Sequence, residues 1–183
     1  IVIMAPKDEN ELQSMVKTAV DYEDGPVALR YPRGSGVGVP LSDQPSTLPI
    51  GKAEVLKEGL DLLILAIGNR VYPGLEAANV LMDIGINATV INARFVKPLD
   101  IDLIAPLAEK IGKVITVEDH VLAGGFGSAV IEMFADQGIS AHVRRLGIPD
   151  EFVEHGDVKV LYNQYGYDEQ GIIKAGQDLL SLE

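Results

Sequence analysis

An unbroken aliphatic run, LLILAI at residues 62–67, places the strongest constraint on what this chain can fold into. A run of this length without a polar residue, ended by Gly68, is typical of a β-strand that is covered on both faces. Other short apolar runs alternate along the chain with segments whose apolar residues repeat at helical spacing. This alternation favours an α/β fold with a mostly parallel sheet and helices on both faces.

The same pattern of apolar residues predicts the individual strands and helices. Strands are expected at residues 1–5, 27–31, 52–57, 62–67, 88–92, 114–117 and 142–146. Helices are expected from Asp8 to about Tyr22 and at residues 72–83, 101–111, 127–137 and 168–182. Asp8 and Asp100 are each expected to cap a helix with the side-chain oxygen. Residues 94–100 are predicted to be only a connection between a strand and a helix.

One stretch has the composition of a linker. Residues 35–50 are rich in Gly, Pro and Ser and have no apolar periodicity. We therefore predict three parts: a strand-helix-strand unit at residues 1–34, a linker at 35–50, and a second α/β unit at 51–183.

Charge and composition exclude several kinds of partner. With 15 basic and 27 acidic residues the net charge is −12, so the overall field repels nucleic acid and anionic lipid. A phosphorylated ligand would need a local cationic site. The chain has no cysteine, which excludes disulfides and thiolate metal sites and is compatible with a reducing cytoplasm. No apolar run approaches the roughly 18 residues of a membrane span, so neither nucleic acid nor a membrane is an expected partner.

Two arginines form a candidate anion site. Arg30 and Arg33 lie in RYPRG at the end of a predicted strand, where open α/β sheets commonly bind ligands. No acidic residue occurs from Val27 through Ser42, and an arginine fork suits phosphate. On composition alone, solvated or structurally paired arginines are the better interpretation.

The sequence gives less support for a functional role of the glycine loop at residues 124–127 or of the nearby His120. The loop opens a predicted helix, which suits an anion, but the spacing fails the dinucleotide fingerprint because the third glycine position is Val130. Close packing of the loop is the alternative. His120 could be a general base or a structural histidine, and the three histidines show no zinc-ligand spacing.

Taken together, six segments carry a family resemblance. They are IMAPKDENEL at residues 3–12, DGPVALRYPRG at 24–34, LPIGKAEVL at 48–56, ARFVKPLD at 93–100, TVEDHVLAGGFGSAV at 116–130 and GIPDEFVEHG at 147–156. In this order they resemble the 1-deoxy-D-xylulose-5-phosphate synthase family of transketolase-like thiamine-diphosphate enzymes. Transketolases proper and 2-oxo acid dehydrogenase subunits share the architecture but look different at RYPRG and GIPD.

The resemblance implies both a fold and an activity. Residues 1–34 would be the last strand-helix-strand of a pyrimidine-binding domain, and residues 51–183 a three-layer transketolase C-terminal domain. The intact enzyme would be a transferase that condenses pyruvate, with decarboxylation, and glyceraldehyde 3-phosphate for isoprenoid, thiamine and pyridoxal phosphate synthesis. It would be a cytoplasmic homodimer.

The resemblance also implies how the functional residues are distributed. Thiamine diphosphate and Mg²⁺ would be bound mainly by residues preceding this chain, so no catalytic, cofactor or metal residue is assigned and the chain alone is expected to be inactive. Arg33 matches the family arginine that binds the acceptor's phosphate, with Arg30 as the alternative. Two other functions are considered: the C-terminal part of a 2-oxo acid dehydrogenase thiamine-dependent subunit, and a free-standing small-molecule-binding module.

Overall fold

The computed structural model describes residues 1–181, which form two β-sheets and their covering helices. The elements in chain order are β1 (Val2–Met4), α1 (Glu9–Asp21), β2 (Val27–Leu29), β3 (Glu54–Lys57), β4 (Leu62–Ala66), a 3-10 turn (Gly68–Arg70), α2 (Val71–Asp83), β5 (Ala88–Asn92), β6 (Phe95–Lys97), α3 (Ile101–Ile111), β7 (Lys113–Val121), α4 (Phe126–Gln137), β8 (His142–Ile148), α5 (Val158–Gln164) and α6 (Glu169–Leu180). No helix in this part of the chain is long and apolar enough to cross a membrane.

The larger sheet has five strands in the order β3-β5-β4-β7-β8. The central strand β4 pairs in parallel with β5 and β7, and β7 pairs in parallel with β8. Only β3, at the edge, runs antiparallel to its neighbour β5. Helices α2 and α6 cover one face of the sheet, and α3 and α4 cover the other. The predicted three-layer α/β fold with a mostly parallel sheet is therefore confirmed.

Strand β4 shows why its sequence contains no polar residue. Successive side chains of a strand point to opposite faces. Leu62 and Ile64 accordingly pack in the core beneath α2 and α6, whereas Leu63 and Leu65 pack in the core beneath α3 and α4. All four side chains are fully buried. Each removes an aliphatic group from water, which is worth roughly 1.5–3 kcal/mol per side chain.

The smaller sheet contains strands from both sides of the predicted linker. Its order is β2-β1-β6, with β1 parallel to β2 and antiparallel to β6. Strand β6 lies within residues 94–100, so the prediction that these residues are only a connection was wrong. The reason is tertiary: Phe95 is fully buried in a small core with Val2, Met4 and Met15. The opening strand-helix-strand unit is thus tied by backbone hydrogen bonds to the later part of the chain.

Residues 30–53 contain neither helix nor strand and run beside α1. Side chains of α1 hold this segment by accepting its backbone N–H groups. Val37 N donates to Glu9 Oε2 at 3.0 Å, and Leu48 N donates to Thr18 Oγ1 at 2.7 Å. The segment therefore follows a defined path, and its assignment as a linker at residues 35–50 stays a prediction.

The two predicted caps have different outcomes. Asp8 caps α1 as expected, since its Oδ1 accepts the N–H of Glu11 at 2.7 Å. Asp100 precedes α3 but makes no side-chain cap, so that prediction was wrong. Its carboxylate instead accepts from Ala53 N and Lys52 Nζ, each at 3.0 Å, because β3 begins close by.

The C-terminal elements also differ from the prediction. Helix α5 was not predicted, and Asp157 caps it by accepting the N–H of Lys159 at 2.9 Å. The predicted closing helix at residues 168–182 is found as α6. Position 182 lies outside the described residues.

Candidate functional site

The two candidate arginines follow β2 and have different surroundings. Because β1 and β2 are parallel, their carboxyl ends meet at one edge of the small sheet. Arg30 comes directly after β2, and its Nη2 donates to the backbone oxygen of Asp119. The same nitrogen lies 3.9 Å from Asp119 Oδ2. Arg33 is exposed, and within residues 1–181 it makes no hydrogen bond or ion pair. The structure therefore does not direct both arginines to one partner.

Two cavities flank the RYPRG segment. One, of about 180 Å³, lies between the small sheet and the end of β7, and is lined by Ile3, Arg30, Val96, Asp119 and His120 among others. The other, of about 320 Å³, is lined by Lys7, Asp8, Tyr31, Pro32, Gly34 and Asn69 among others. The turn that carries Arg33 thus borders an open recess, while Arg30 points to the junction between the two sheets.

Asp119 is the centre of a polar cluster that the sequence did not reveal. Its Oδ2 accepts from Asn69 Nδ2 at 2.9 Å and from Tyr162 OH at 3.2 Å, and its Oδ1 accepts from Tyr167 OH at 3.3 Å. Burial, together with the charge of Asp119, raises the pKa of both tyrosines. Both phenols therefore stay protonated and donate at neutral pH.

The glycine loop does not present a free anion site. Helix α4 begins at Phe126, and its first backbone N–H groups are taken by the chain's own carboxylate. Glu118 accepts from Phe126 N at 2.6 Å and from Gly127 N at 2.8 Å. Glu118 is 1% exposed. Burial raises its pKa, and the two backbone hydrogen bonds only partly oppose this. The close-packing interpretation of the loop is therefore the better one.

The glycines of this loop are needed for that contact. A Cβ on Gly127 would lie 2.5 Å from Thr116 Oγ1 and 2.9 Å from Arg145 Cδ. A Cβ on Gly125 would collide with the Glu118 carboxylate. Small residues therefore let Glu118 reach the helix N-terminus, where the dipole favours a negative charge.

His120 lines the smaller cavity and is exposed. Its Nδ1 lies 3.0 Å from the backbone oxygen of Val121, the next residue of β7. No acid or base role follows from this contact, so a structural histidine remains the simpler interpretation.

An ionic cluster lies where the opening helix meets the larger sheet. Arg94 Nε bonds Glu11 Oε1 at 2.8 Å, and Arg94 Nη2 bonds Glu54 Oε2 at 3.0 Å. Lys7 Nζ bonds the same two carboxylates at 3.2 and 2.8 Å. Asn92 also donates to both. Two cations balance two anions, which is how charges are tolerated at a largely buried position.

Sequence reasoning found Arg30, Arg33 and the glycine loop but missed Asp119, the partner of Arg30, and Glu118, the partner of the loop. In the EDH tripeptide at residues 118–120, the sequence-based hypothesis concerned the histidine. The structure shows that Glu118 and Asp119 make the contacts. Two adjacent acids near the end of a buried strand were the available signal.

Comparison with known proteins identifies the fold family. Residues 51–172 match the family model described as the transketolase C-terminal domain. A solved structure described as a split-gene transketolase, inactive β4 tetramer, has a TM-score of 0.87 and 34% identity, covering 99% of this chain and 58% of that one. A transketolase from Leishmania mexicana has a TM-score of 0.68 and 19% identity, covering 98% of this chain and 25% of that one, and supports the fold alone.

Curated relatives are more similar in sequence. A 1-deoxy-D-xylulose-5-phosphate synthase of Heliobacterium modesticaldum is 53% identical over 183 residues, and one of Cyanothece sp. is 61% identical over 156 residues. These matches cover 100% and 85% of this chain but only 28% and 25% of the relatives. The chain thus belongs to the transketolase C-terminal domain family, and it corresponds to the C-terminal part of relatives named 1-deoxy-D-xylulose-5-phosphate synthase.

Proposed function

We propose that this chain is part of an enzyme that decarboxylates pyruvate and joins the resulting two-carbon fragment to glyceraldehyde 3-phosphate, forming 1-deoxy-D-xylulose 5-phosphate. The observation that carries this proposal is the 53% and 61% identity to relatives bearing that enzyme's name. The intact enzyme is then a transferase that supplies isoprenoid, thiamine and pyridoxal phosphate synthesis. The family resemblance supports a cytoplasmic homodimer.

Within this chain we propose that Arg33 binds the acceptor's phosphate. The proposal is supported by its exposure beside an open recess and by its lack of any partner within residues 1–181. With a net charge of −12, a local cation is needed to attract a phosphorylated substrate. The planar guanidinium can give two parallel hydrogen bonds to phosphate oxygens. Arg30 suits this role less well because its Nη2 already donates to Asp119.

The described residues do not fit a site for thiamine diphosphate and Mg²⁺. Within residues 1–181 no group of three or more His, Asp or Glu side chains could hold a metal ion. The N–H groups at the start of α4 are taken by Glu118. We propose that other parts of the intact enzyme hold both groups, whose chemistry is the stabilisation of the carbanion formed from pyruvate. This chain contributes packing, subunit contacts and Arg33.

The isolated chain is therefore expected to be inactive. A similar solved structure, a split-gene transketolase, is described as an inactive β4 tetramer, which supports this expectation. The test compares the intact enzyme with the 183-residue chain, each supplied with pyruvate, glyceraldehyde 3-phosphate, thiamine diphosphate and Mg²⁺. Product formed by the isolated chain would contradict the proposed division of labour. An intact enzyme that forms no deoxyxylulose phosphate would contradict the proposed activity.

Arg33 is tested in the intact enzyme by Arg33→Ala. A charge-assisted hydrogen bond is worth roughly 1.5–3 kcal/mol, so the apparent affinity for glyceraldehyde 3-phosphate should fall by about ten- to a hundredfold. The apparent affinity for pyruvate should not change. Arg33→Lys should restore only part of the loss, because it keeps the charge but not the fork. Equal losses with phosphorylated and unphosphorylated aldehydes would show that Arg33 only supports the local structure.

A further inference from the structure

Arg30 and Arg33 are separated by two residues, yet only Arg30 is engaged within the described chain. Its Nη2 donates to the backbone oxygen of Asp119 across the junction between the two sheets. The Oδ2 atom of Asp119, 3.9 Å away, adds a negative charge to the same place. The side chain of Arg30 is 46% exposed, so this contact leaves part of the guanidinium in water. It is a specific contact between residues 89 positions apart in sequence.

Asp119 is a well-anchored partner for Arg30. Its carboxylate accepts from Asn69 in the 3-10 turn, from Tyr162 in α5, and from Tyr167 just before α6. Its side chain is only 13% exposed. Three donors from three separate segments fix the position of Asp119, and therefore that of its carbonyl oxygen.

Two further features hold this arrangement. The guanidinium of Arg70, which is 5% exposed, lies 3.8 Å from the ring centroid of Tyr162. Such a cation–π contact keeps the tyrosine ring in place. In addition, the pairing of β7 with β8 shifts register between Val117 and Val121. Asp119 lies within this irregular stretch, where its carbonyl oxygen accepts from Arg30.

The connection from Arg30 to Arg33 is short and stiff. Only Tyr31 and Pro32 lie between them, and the proline ring fixes one backbone dihedral angle. The residue before a proline is itself restricted to extended conformations. A change in where Arg30 is held will therefore be transmitted to the turn that carries Arg33.

We propose that Arg30 is a positioning residue: by bonding the anchored carbonyl of Asp119, it sets the direction in which Arg33 meets the acceptor's phosphate. This inference rests on the proposed function of Arg33. It assigns the two arginines of RYPRG different tasks. Arg33 contacts the substrate, and Arg30 acts only through Arg33.

The experiment is a double-mutant cycle in the intact enzyme, made from Arg30→Gln and Arg33→Ala. The quantity measured is the ratio of kcat/KM for glyceraldehyde 3-phosphate to kcat/KM for unphosphorylated glyceraldehyde. Arg30→Gln alone should lower this ratio by about two- to tenfold, as expected for the loss of one positioning hydrogen bond. In the Arg33→Ala background it should lower the ratio no further, because a residue that acts through another has no separate effect.

Three more variants complete the design. Arg30→Lys keeps one charged donor to the carbonyl and should restore part of the ratio. Tyr162→Phe removes one anchor of Asp119 and should lower the ratio less than Arg30→Gln does. Arg144→Gln removes an exposed arginine on β8 and should leave the ratio unchanged. Thermal melting of each variant identifies any change that comes from loss of the fold.

The outcomes distinguish the positioning role of Arg30 from the proposal that Arg33 binds the acceptor's phosphate. If Arg30→Gln lowers the ratio equally with and without Arg33, Arg30 contacts the phosphate directly and the positioning role is wrong. If folded Arg30→Gln and Arg30→Lys variants both keep the wild-type ratio, the contact with Asp119 has no functional consequence. If Arg33→Ala keeps the ratio while deoxyxylulose phosphate still forms, the phosphate assignment fails together with the positioning role, but the enzymatic activity stands.

Discussion

Arg94 is expected to be the most important single side chain for joining the opening helix to the larger sheet. It lies in the turn between β5 and β6, and its guanidinium bonds Glu11 and Glu54. The Glu11 side chain is 3% exposed and that of Arg94 is 16% exposed, so water screens this pair poorly. Replacing Arg94 with alanine leaves the two carboxylates with the Lys7 ammonium, the Asn92 amide and, for Glu11, the backbone N–H of Lys7 as donors.

The expected loss of stability in Arg94→Ala depends on the donors that still bond the two carboxylates. Removing one partner of a fully buried ion pair costs roughly 3–5 kcal/mol, because the other charge is left unpaired. Here Lys7 and Asn92 still bond Glu11, at 3.2 and 2.8 Å, which reduces the cost. We expect Arg94→Ala to lower the free energy of unfolding by about 2–4 kcal/mol. Lys17→Ala, which breaks the exposed pair with Asp21 on α1, should cost only about 0.5 kcal/mol.

The backbone conformation of Arg94 predicts which of two substitutions at this position is the more stable. Its φ is 58°, in the left-handed region that costs an L-residue roughly 1–2 kcal/mol and glycine almost nothing. Arg94→Gly should therefore be more stable than Arg94→Ala by about 1 kcal/mol, the reverse of the usual order. Urea unfolding of the 183-residue chain, followed by circular dichroism, measures all three variants. A loss in Arg94→Ala no larger than that in Lys17→Ala, or a glycine variant less stable than the alanine variant, would refute this reasoning.

Three further outcomes are expected of the same chain. Gly127→Ala should cost about 1–3 kcal/mol of stability, because its Cβ would lie 2.5 Å from Thr116 Oγ1. The control Gly74→Ala in α2 meets only ordinary contacts at 3.4 and 3.5 Å and should be neutral or stabilising. Equal melting temperatures of the two variants would contradict the packing argument. Burial opposes the ionisation of Glu54, but its hydrogen bond to the neighbouring lysine and the charges of both nearby cations outweigh it and lower its pKa below 4.5. The contribution of Glu54 to stability is therefore present above pH 4.5 and is lost as the pH falls through the lowered pKa. In urea titrations at decreasing pH, Glu54→Gln should therefore lose less free energy of unfolding than the wild type does. An unchanged pH profile would count against the ion pairing. Limited proteolysis should cut first within residues 35–49, where the chain has no helix or strand. A first cut within residues 62–92 would contradict the predicted linker.

Local patterns in the sequence were enough to predict the layered core. The aliphatic run of β4 had to be buried on both faces, and the alternation of strands and helices required a mostly parallel sheet. The cap at Asp8 was predictable too, because a capping contact spans only three residues. The family resemblance followed from short segments in a fixed order. Each of these inferences depends on neighbours along the chain.

Tertiary structure decided which distant groups meet. Strand β6 could not be predicted from its three residues alone. It pairs with β1 because Phe95 packs in the core formed by the opening strand and helix. Asp100 preceded a helix as expected, yet its carboxylate bonds residues 47 and 48 positions away instead of capping it.

The candidate site shows the same division. The sequence identified RYPRG and both of its arginines, but their difference depends on Asp119, 89 residues from Arg30. Hydrophobic periodicity reports which face of an element is buried and carries no information about the partner of an exposed or half-buried charge. Polar side chains bond whatever group the fold brings within about 3 Å, since hydrogen bonds act only at short range. The pairing of Arg30 with Asp119 was therefore determined only when the two sheets came together.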